Sequence, residues 1–278
     1  MQRIIRFFQI DLQYFFLPLP FFTKLRNLFS TNISLFSNLI LGRKNDFPTA
    51  SLSDRRIVYD TPFSTKTFLA AIYDFYNETQ RDTLLPENAV VVDIGSNIGQ
   101  YLTAIKAFKP KAKVYCFEPD PTIFAILKKN AAQYSDVTIF NHAVSDRVGT
   151  EKFYVSLLFS EWSSFEKSAI SGDVKEVKVS SVVGDKILEK VGEIDLLKID
   201  VEGAELKVVS GLLKTLKRTK YLMIETSILR NSSDLGSSML LQLLFEQGFY
   251  IHSIGRIFSE GIGKHQGAAD ILFKNKKY

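Results

Sequence analysis

The chain has 278 residues, 46% of them hydrophobic and 23% charged, a composition that suits a globular protein with a large core and excludes a disordered or low-complexity one. Its formal net charge of +5 lies wholly in residues 1–45, where Arg3, Arg6, Lys24, Arg26, Arg43 and Lys44 stand against Asp11. The formally neutral remainder offers no electrostatic footprint for nucleic acid, and the single cysteine, Cys116, excludes an internal disulfide and fits a reducing, cytoplasmic setting.

The first segment predicts an amphipathic helix ended by Pro18. Gln2, Arg3, Arg6, Gln9 and Gln13 fall on one face, and Ile4, Ile5, Phe8, Leu12, Phe15 and Phe16 on the other, with Asp11 the exception. The run is too short and too polar to span a membrane. A secretory signal also fits poorly, because Asp11 breaks the apolar region and no small-residue cleavage site follows. Eight of the 23 phenylalanines lie within residues 1–36, and apolar positions continue from Leu19 to Phe36, which predicts a helical pair. Two readings remain open for this segment. It packs on the main domain or on a second subunit, the preferred expectation, or it makes weak peripheral contact with a membrane through residues 1–36. Gly42 to Pro48 reads as a loop.

Helical spacing of Phe68, Leu69, Ile72, Tyr73 and Tyr76 predicts a helix over 66–81. Strands are predicted at 89–94, 113–117 and 137–141, with helices at 101–108 and 121–134 between and before them. Between Gly149 and Ser181, alternation replaces helical spacing, as in a β-hairpin-like insertion. A helix over 182–190 then leads to a fourth strand at 194–199, an apolar run of the kind that a buried parallel strand requires. Helices at 202–216 and 237–247 and strands at 220–225, 249–254 and 270–274 complete the pattern. The expected fold is α/β: a doubly wound, mostly parallel sheet of seven strands with an N-terminal helical extension and the insertion before strand four. The extension is assigned to residues 1–55 and the main domain to 56–278.

Chemistry concentrates at the carboxyl ends of the predicted strands. Val90 to Ile94 runs into Asp93-Ile-Gly95-Ser96-Asn97-Ile-Gly99, a glycine turn opened by an acid. About twenty residues on, Phe117-Glu118-Pro119-Asp120 places a carboxylate where an acid takes both hydroxyls of a ribose. Each signal is common alone, but the two in order at the spacing of one βαβ unit imply a nucleoside ligand. The turn lacks the Gly-x-Gly-x-x-Gly spacing of nicotinamide sites, and its acid suits a ligand bearing an amine or a cation, such as S-adenosylmethionine.

Four segments together, Val92 to Tyr101, Phe117 to Pro121, Asn141 to Asp146 and Ile194 to Glu205, resemble the FkbM family of class I S-adenosylmethionine-dependent methyltransferases. Tyr221 to Glu225 and Ala269 to Phe273 add to the likeness, which runs from Val90 to about Phe273 and leaves the first 55 residues uncovered. Leu197-Lys-Ile-Asp-Val-Glu-Gly-Ala-Glu205 is the most distinctive segment. The resemblance implies a Rossmann-like methyltransferase using S-adenosylmethionine to methylate a hydroxyl of a sugar, glycan or natural product; a homo-oligomer is the further arrangement that the apolar N-terminal segment leaves open.

The resemblance also implies roles. Asp93 faces the methionyl amine, and the Gly95, Ser96, Asn97 and Gly99 backbone passes under the ribose and amino acid. Glu118, with Pro119 in its turn, holds the ribose, Asp120 caps the following helix, and Ala143 offers main-chain groups to adenine. Asp200 lies beside the sulfonium, and Asp200 and Glu202 are the carboxylates placed to take a proton from the acceptor. The alternatives stay open: Asp93 as a turn cap, and Glu202 as a charge favourably placed at a helix N-terminus. Asp200, Glu202 and Glu225 are oxygen ligands at adjacent strand ends, but no histidine or cysteine cluster accompanies them and no metal is expected. Trp162 is expected to stack on a sugar, and His265, in the loop Gly261 to Gly267, belongs to a lid or to the surface. A non-catalytic scaffold that binds the cofactor and docks partners through the aromatic N-terminus is the alternative function.

Overall fold

The structure, a computed structural model, describes the chain apart from residues 1, 42–48, 53–54, 61–63, 81–83, 157–162, 164, 166–173, 228–234 and 259–267. The Gly42–Pro48 loop, Trp162, and the Gly261–Gly267 loop with His265 therefore lie outside the described residues.

Helices α1 (Gln2–Phe15) and α2 (Phe21–Leu41) precede a hairpin of β1 (Thr49–Leu52) and β2 (Arg55–Val58). Next come α3 (Ser64–Phe75), continued by a π-helical turn at Tyr76–Gln80, then β3 (Val90–Ile94), α4 (Gln100–Phe108), β4 (Lys113–Phe117), α5 (Pro121–Ala131) and β5 (Val137–Phe140). The strands β6 (Ala143–Ser145), β7 (Gly149–Ser156) and β8 (Val174–Val183) form a separate sheet, followed by the short helix α6 (Gly184–Ile187). The chain closes with β9 (Ile194–Ile199), α7 (Glu205–Ser210), α8 (Leu213–Leu216), β10 (Thr219–Ser227), α9 (Leu235–Glu246), β11 (Phe249–Phe258) and β12 (Ala268–Asn275).

The main sheet has seven strands in the order β11-β12-β10-β9-β3-β4-β5. Strands β10, β9, β3, β4 and β5 are parallel, and β12 runs antiparallel to both of its neighbours. The expected seven-stranded, mostly parallel sheet is thus present. The order reverses between β9 and β3, which opens a crevice at their carboxyl ends. Alternate residues of each strand feed two cores. Val91, Val114, Leu196, Met223 and Leu272 face α1, α3, α4 and α5. Val92, Ile94, Leu197, Ile224, Ile271 and Phe273 face α7, α8 and α9. Each fully buried side chain of this size contributes about 1.5–3 kcal/mol, which is why these strands read as continuous apolar runs.

Three local expectations need correction. The helix expected over 182–190 begins only at Gly184, because Val182 and Val183 extend β8 to pair with Val144 and Ser145 of β6. The single helix expected over 202–216 is broken into α7 and α8 at Gly211. There the backbone of Ser145 comes so close that a Cβ on Gly211 would sit 2.0 Å from its carbonyl oxygen. The packed face of α1 is also not the expected one. Ile10, Tyr14 and Leu17, spaced to share one side, are buried, whereas Leu12 and Phe16 are 60% and 76% exposed. The Tyr14 side is where α3 packs and where Asn27 Nδ2 donates to the phenol oxygen, and this decides the rotation of the helix.

Gly211→Ala is expected to cost about 2–3 kcal/mol, since a side chain there overpacks against main chain that cannot yield. Gly192→Ala, where a Cβ meets nothing within 4 Å, should stay within about 1 kcal/mol of wild type. Urea unfolding of the two variants checks the contrast.

Candidate functional site

The glycine turn after β3 is tied to two neighbouring strands. Gly95 N and Ser96 N both donate to the carbonyl of Phe117 at the end of β4, at 3.0 and 2.9 Å, and Asp200 N donates to Ile94 O at 3.0 Å. Gly95 has φ 85°, and a Cβ there would lie 1.8 Å from Asp200 O. Its first duty is therefore to let the ends of β3 and β9 meet, ahead of any ligand. The Ser96 hydroxyl donates to Asp93 O at 2.9 Å, and Gly99, with φ 93°, is the N-cap of α4. Asn97 takes the left-handed region at φ 49°, and its amide points at Glu118.

Glu118 sits in the mouth of this turn, 5% exposed. Its Oε2 accepts from Asn97 N at 3.0 Å and its Oε1 from Asp120 N at 2.8 Å. Each carboxylate oxygen keeps a second lone pair, so a vicinal diol still finds two acceptors. Burial raises its pKa to about 8, against the two backbone amides that favour the charged form. Asn141 clamps the loop from β5, its Nδ2 donating to Glu118 O and Pro119 O at 2.9 and 3.1 Å. Asp120 caps α5 as expected, accepting from Thr122 N at 2.7 Å. Ala143 is buried as the first residue of β6, and beside it His142 Nδ1 is buried without a hydrogen-bond partner.

Strand register explains the rest. Side chains two apart on a strand share a face, and register partners on parallel neighbours stand side by side. Cys116, Asp93, Lys198 and Met223 are successive partners across β4, β3, β9 and β10, and form one row on the α4 side. Two residues further toward the crevice stand Asp200 on the loop after β9, Glu225 on β10 and, opposite it on β12, Asp270. Lys198 Nζ donates to Asp200 Oδ2 at 2.7 Å and lies 5.0 Å from the centre of the Tyr101 ring. The Tyr101 hydroxyl donates to Met223 Sδ. Asp93 is fully buried, and neither of its carboxylate oxygens has a hydrogen-bond partner. Burial raises its pKa, with Lys198 opposing. For Lys198 itself burial works against the charge, and Asp200 and Asp93 more than offset it, so the ammonium pKa is raised.

Glu202 is not at a helix mouth as expected. It stands in the loop before α7 with φ 53°, followed by Gly203 at φ 108°. A non-glycine residue held there stores about 1–3 kcal/mol of strain, a mark that recurs at functional sites. Burial pushes the Glu202 carboxyl well up, and Glu225, Asp200 and Glu205 push it further. Glu205 opens α7 and accepts from Gly203 N at 2.8 Å, and burial takes its pKa to about 7.

Asp93, the Gly95–Gly99 turn, Glu118, Asp200 and Glu202 therefore gather at one end of the sheet. Lys198, Glu225, Asp270 and Glu78 join them, of which only Glu225 was considered from sequence. Burial, then Glu225, raises Asp270 to about 8. Burial, then Asp270, raises Glu78 on the π-helical turn. Period-two spacing within β9 was the signal that could have found Lys198, since it puts Lys198 on the face of Asp200. Glu78 and Asp270 carry no comparable local signal.

The arrangement fits a ligand with a diol, an ammonium and a positively charged centre. Glu118 offers acceptors for the diol, and the buried Asp93 carboxyl, beside Lys198 and without a geometric hydrogen-bond partner, offers acceptors toward a positive group.

Raised carboxyl pKa values fix the sign of one pH effect. The stability these groups contribute is complete below their unfolded values, about 4, and is lost as pH rises through the folded values. Those are about 8 for Glu118 and Asp270 and about 7 for Glu205. The thermal midpoint should therefore be lower above pH 8 than near pH 5–6. Lys198→Met should steepen that fall and cost about 3–5 kcal/mol near neutral pH, because it strands buried carboxylates. Calorimetry across this range checks both.

Among known proteins, the chain is 30% identical over 156 residues to the 2-O-methyltransferase NoeI of Sinorhizobium fredii, covering 50% of this chain and 63% of that protein. It is 29% identical over 143 residues to the hexuronic acid methyltransferase AglP of Haloferax volcanii, covering 50% and 56%. It is 30% identical over 153 residues to the 31-O-demethyl-FK506 methyltransferase FkbM of Streptomyces tacrolimicus, covering 44% and 59%. The chain thus spans less than two thirds of the length of each of these relatives. The profile of the methyltransferase FkbM domain matches residues 93–251, from the buried acid of the glycine turn into β11 and over more than half of the chain, and the chain belongs to the FkbM methyltransferase family.

Proposed function

We propose that the chain is an S-adenosylmethionine-dependent O-methyltransferase acting on a hydroxyl of a sugar, glycan or natural product. The observation that carries this reading is the pairing of Glu118 and the unpartnered Asp93 within the matched segment. The names of NoeI and AglP, a 2-O-methyltransferase and a hexuronic acid methyltransferase, support a sugar or uronic acid as acceptor.

In this reading Glu118 accepts the ribose hydroxyls, the Gly95–Gly99 turn lies beneath the ligand, and Asp93 answers its amine. Ala143 and His142 stand where adenine is expected. When bound, S-adenosylmethionine supplies a methyl on a cationic sulfur that leaves as a neutral thioether. Glu202 in its ionised form takes the proton released by the acceptor hydroxyl as its oxygen gains the methyl, and a raised pKa makes that carboxylate a stronger base where it is ionised. Asp200 is already paired with Lys198, so it serves to hold the site's geometry and charge, and Glu202 is the better base.

Titration calorimetry should show binding of S-adenosylmethionine and S-adenosylhomocysteine and none of NAD; the reverse would overturn the assignment. Glu118→Ala should weaken S-adenosylhomocysteine binding by about 1.5–3 kcal/mol above pH 8, where the carboxyl is ionised and the lost hydrogen bonds are to a charged group. Glu202→Gln should slow transfer of labelled methyl to uronic acid oligosaccharides by roughly 10²–10⁴-fold while cofactor affinity stays within a few-fold. An unaffected rate would leave Glu202 a structural charge. Wild-type protein that binds cofactor and transfers no methyl to any hydroxyl acceptor would favour the scaffold reading.

A further inference from the structure

Helices α1 and α2 are stitched antiparallel: Asn32 donates to Asp11, Asn27 to Tyr14 and Lys24 to Leu17 O. One side of this pair is committed to the protein. Ile10, Tyr14 and Leu17 are buried in the core that also holds Phe68, Ile72 and Phe75 of α3. The other side is bare. Phe22, Leu25, Phe29 and Ile33 follow one another at steps of three and four along α2, a single stripe, and all are exposed, Phe22 by 81% and Phe29 by 68%. Phe16 and Phe21 continue it around the turn, where Phe21 meets Phe15 and Phe22 edge to face. An exposed apolar surface of this kind marks an interaction site.

Charge selects the occupant. The whole formal net charge of the chain, +5, resides in residues 1–45, and exposed Arg26 stands beside the stripe, four residues after Phe22 and three before Phe29. A second copy docking here would bring two such basic segments together. A negatively charged bilayer would neutralise them while burying the phenylalanines. Among the described residues no helix is long and apolar enough to cross a membrane, so the pair would lie in the interface.

We propose that the α1–α2 pair docks this protein on the surface of an anionic membrane, with Phe16, Phe21, Phe22, Leu25, Phe29 and Ile33 entering the interface. The pair is then bifunctional: one side holds the catalytic domain and the other holds the lipid.

The test is flotation of the full chain with vesicles of phosphatidylcholine alone and with phosphatidylglycerol added. The chain should float with the anionic vesicles only, and less as salt rises. The double variant Phe22→Ser, Phe29→Ser, at exposed positions, should lose at least about tenfold in vesicle affinity with its thermal midpoint and S-adenosylhomocysteine affinity unchanged. Arg26→Glu should weaken binding without changing the apolar face. Absence of flotation, equal flotation with neutral vesicles, or a dimer in sedimentation that the double variant dissolves would each overturn the proposal.

Discussion

Lys198 carries a constraint on which the functional end of the sheet depends. Strand register places it beside Asp93, and the chain's next same-face residue is Asp200, to which it donates. Its charge opposes the upward shifts of Glu78, Asp93, Glu202 and Asp270. Among the described residues Lys198 is set against several buried acids whose proton affinity burial and mutual repulsion raise. A cationic ligand approaching Asp93 competes with Lys198 for the same carboxylate, and thereby alters how strongly Lys198 holds Asp200.

The left-handed residues of the site serve the same economy. Asn97 turns its amide onto Glu118, and Glu202 is held in a loop where a helix would have been easier to build. The first organises the Glu118 end of the site and the second keeps a carboxyl near Glu225 and Asp200 despite mutual repulsion. Such strain survives because two large cores on either face of the sheet anchor the strands that carry these loops.

Much of this was legible in the sequence for a physical reason. Strands β3, β4 and β9 are largely apolar and mostly buried, and the acids Asp93, Glu118 and Asp200 at or just beyond their carboxyl ends announce the site. The break between α7 and α8 was hidden because helical spacing through 202–216 says nothing of Ser145, whose carbonyl forces Gly211. Glu78 and Asp270 were hidden because they are almost two hundred residues apart in the chain and are joined only by the packing of the π-helical turn near Gly255. The inward face of α1 was misjudged because its wheel is apolar on more than one side, and only the position of α3 chooses between them.

The contact of Gly95 with the Asp200 carbonyl has a consequence for how this scaffold can change over time. Two strand ends that touch main chain to main chain form a fixed joint, and a residue inserted or deleted on either side would dislocate both halves of the site at once. Length variation is tolerated instead where the backbone is not pinned to that joint. Among the described residues the sheet of β6, β7 and β8 shares no ladder with the main sheet, and so stands apart from that joint.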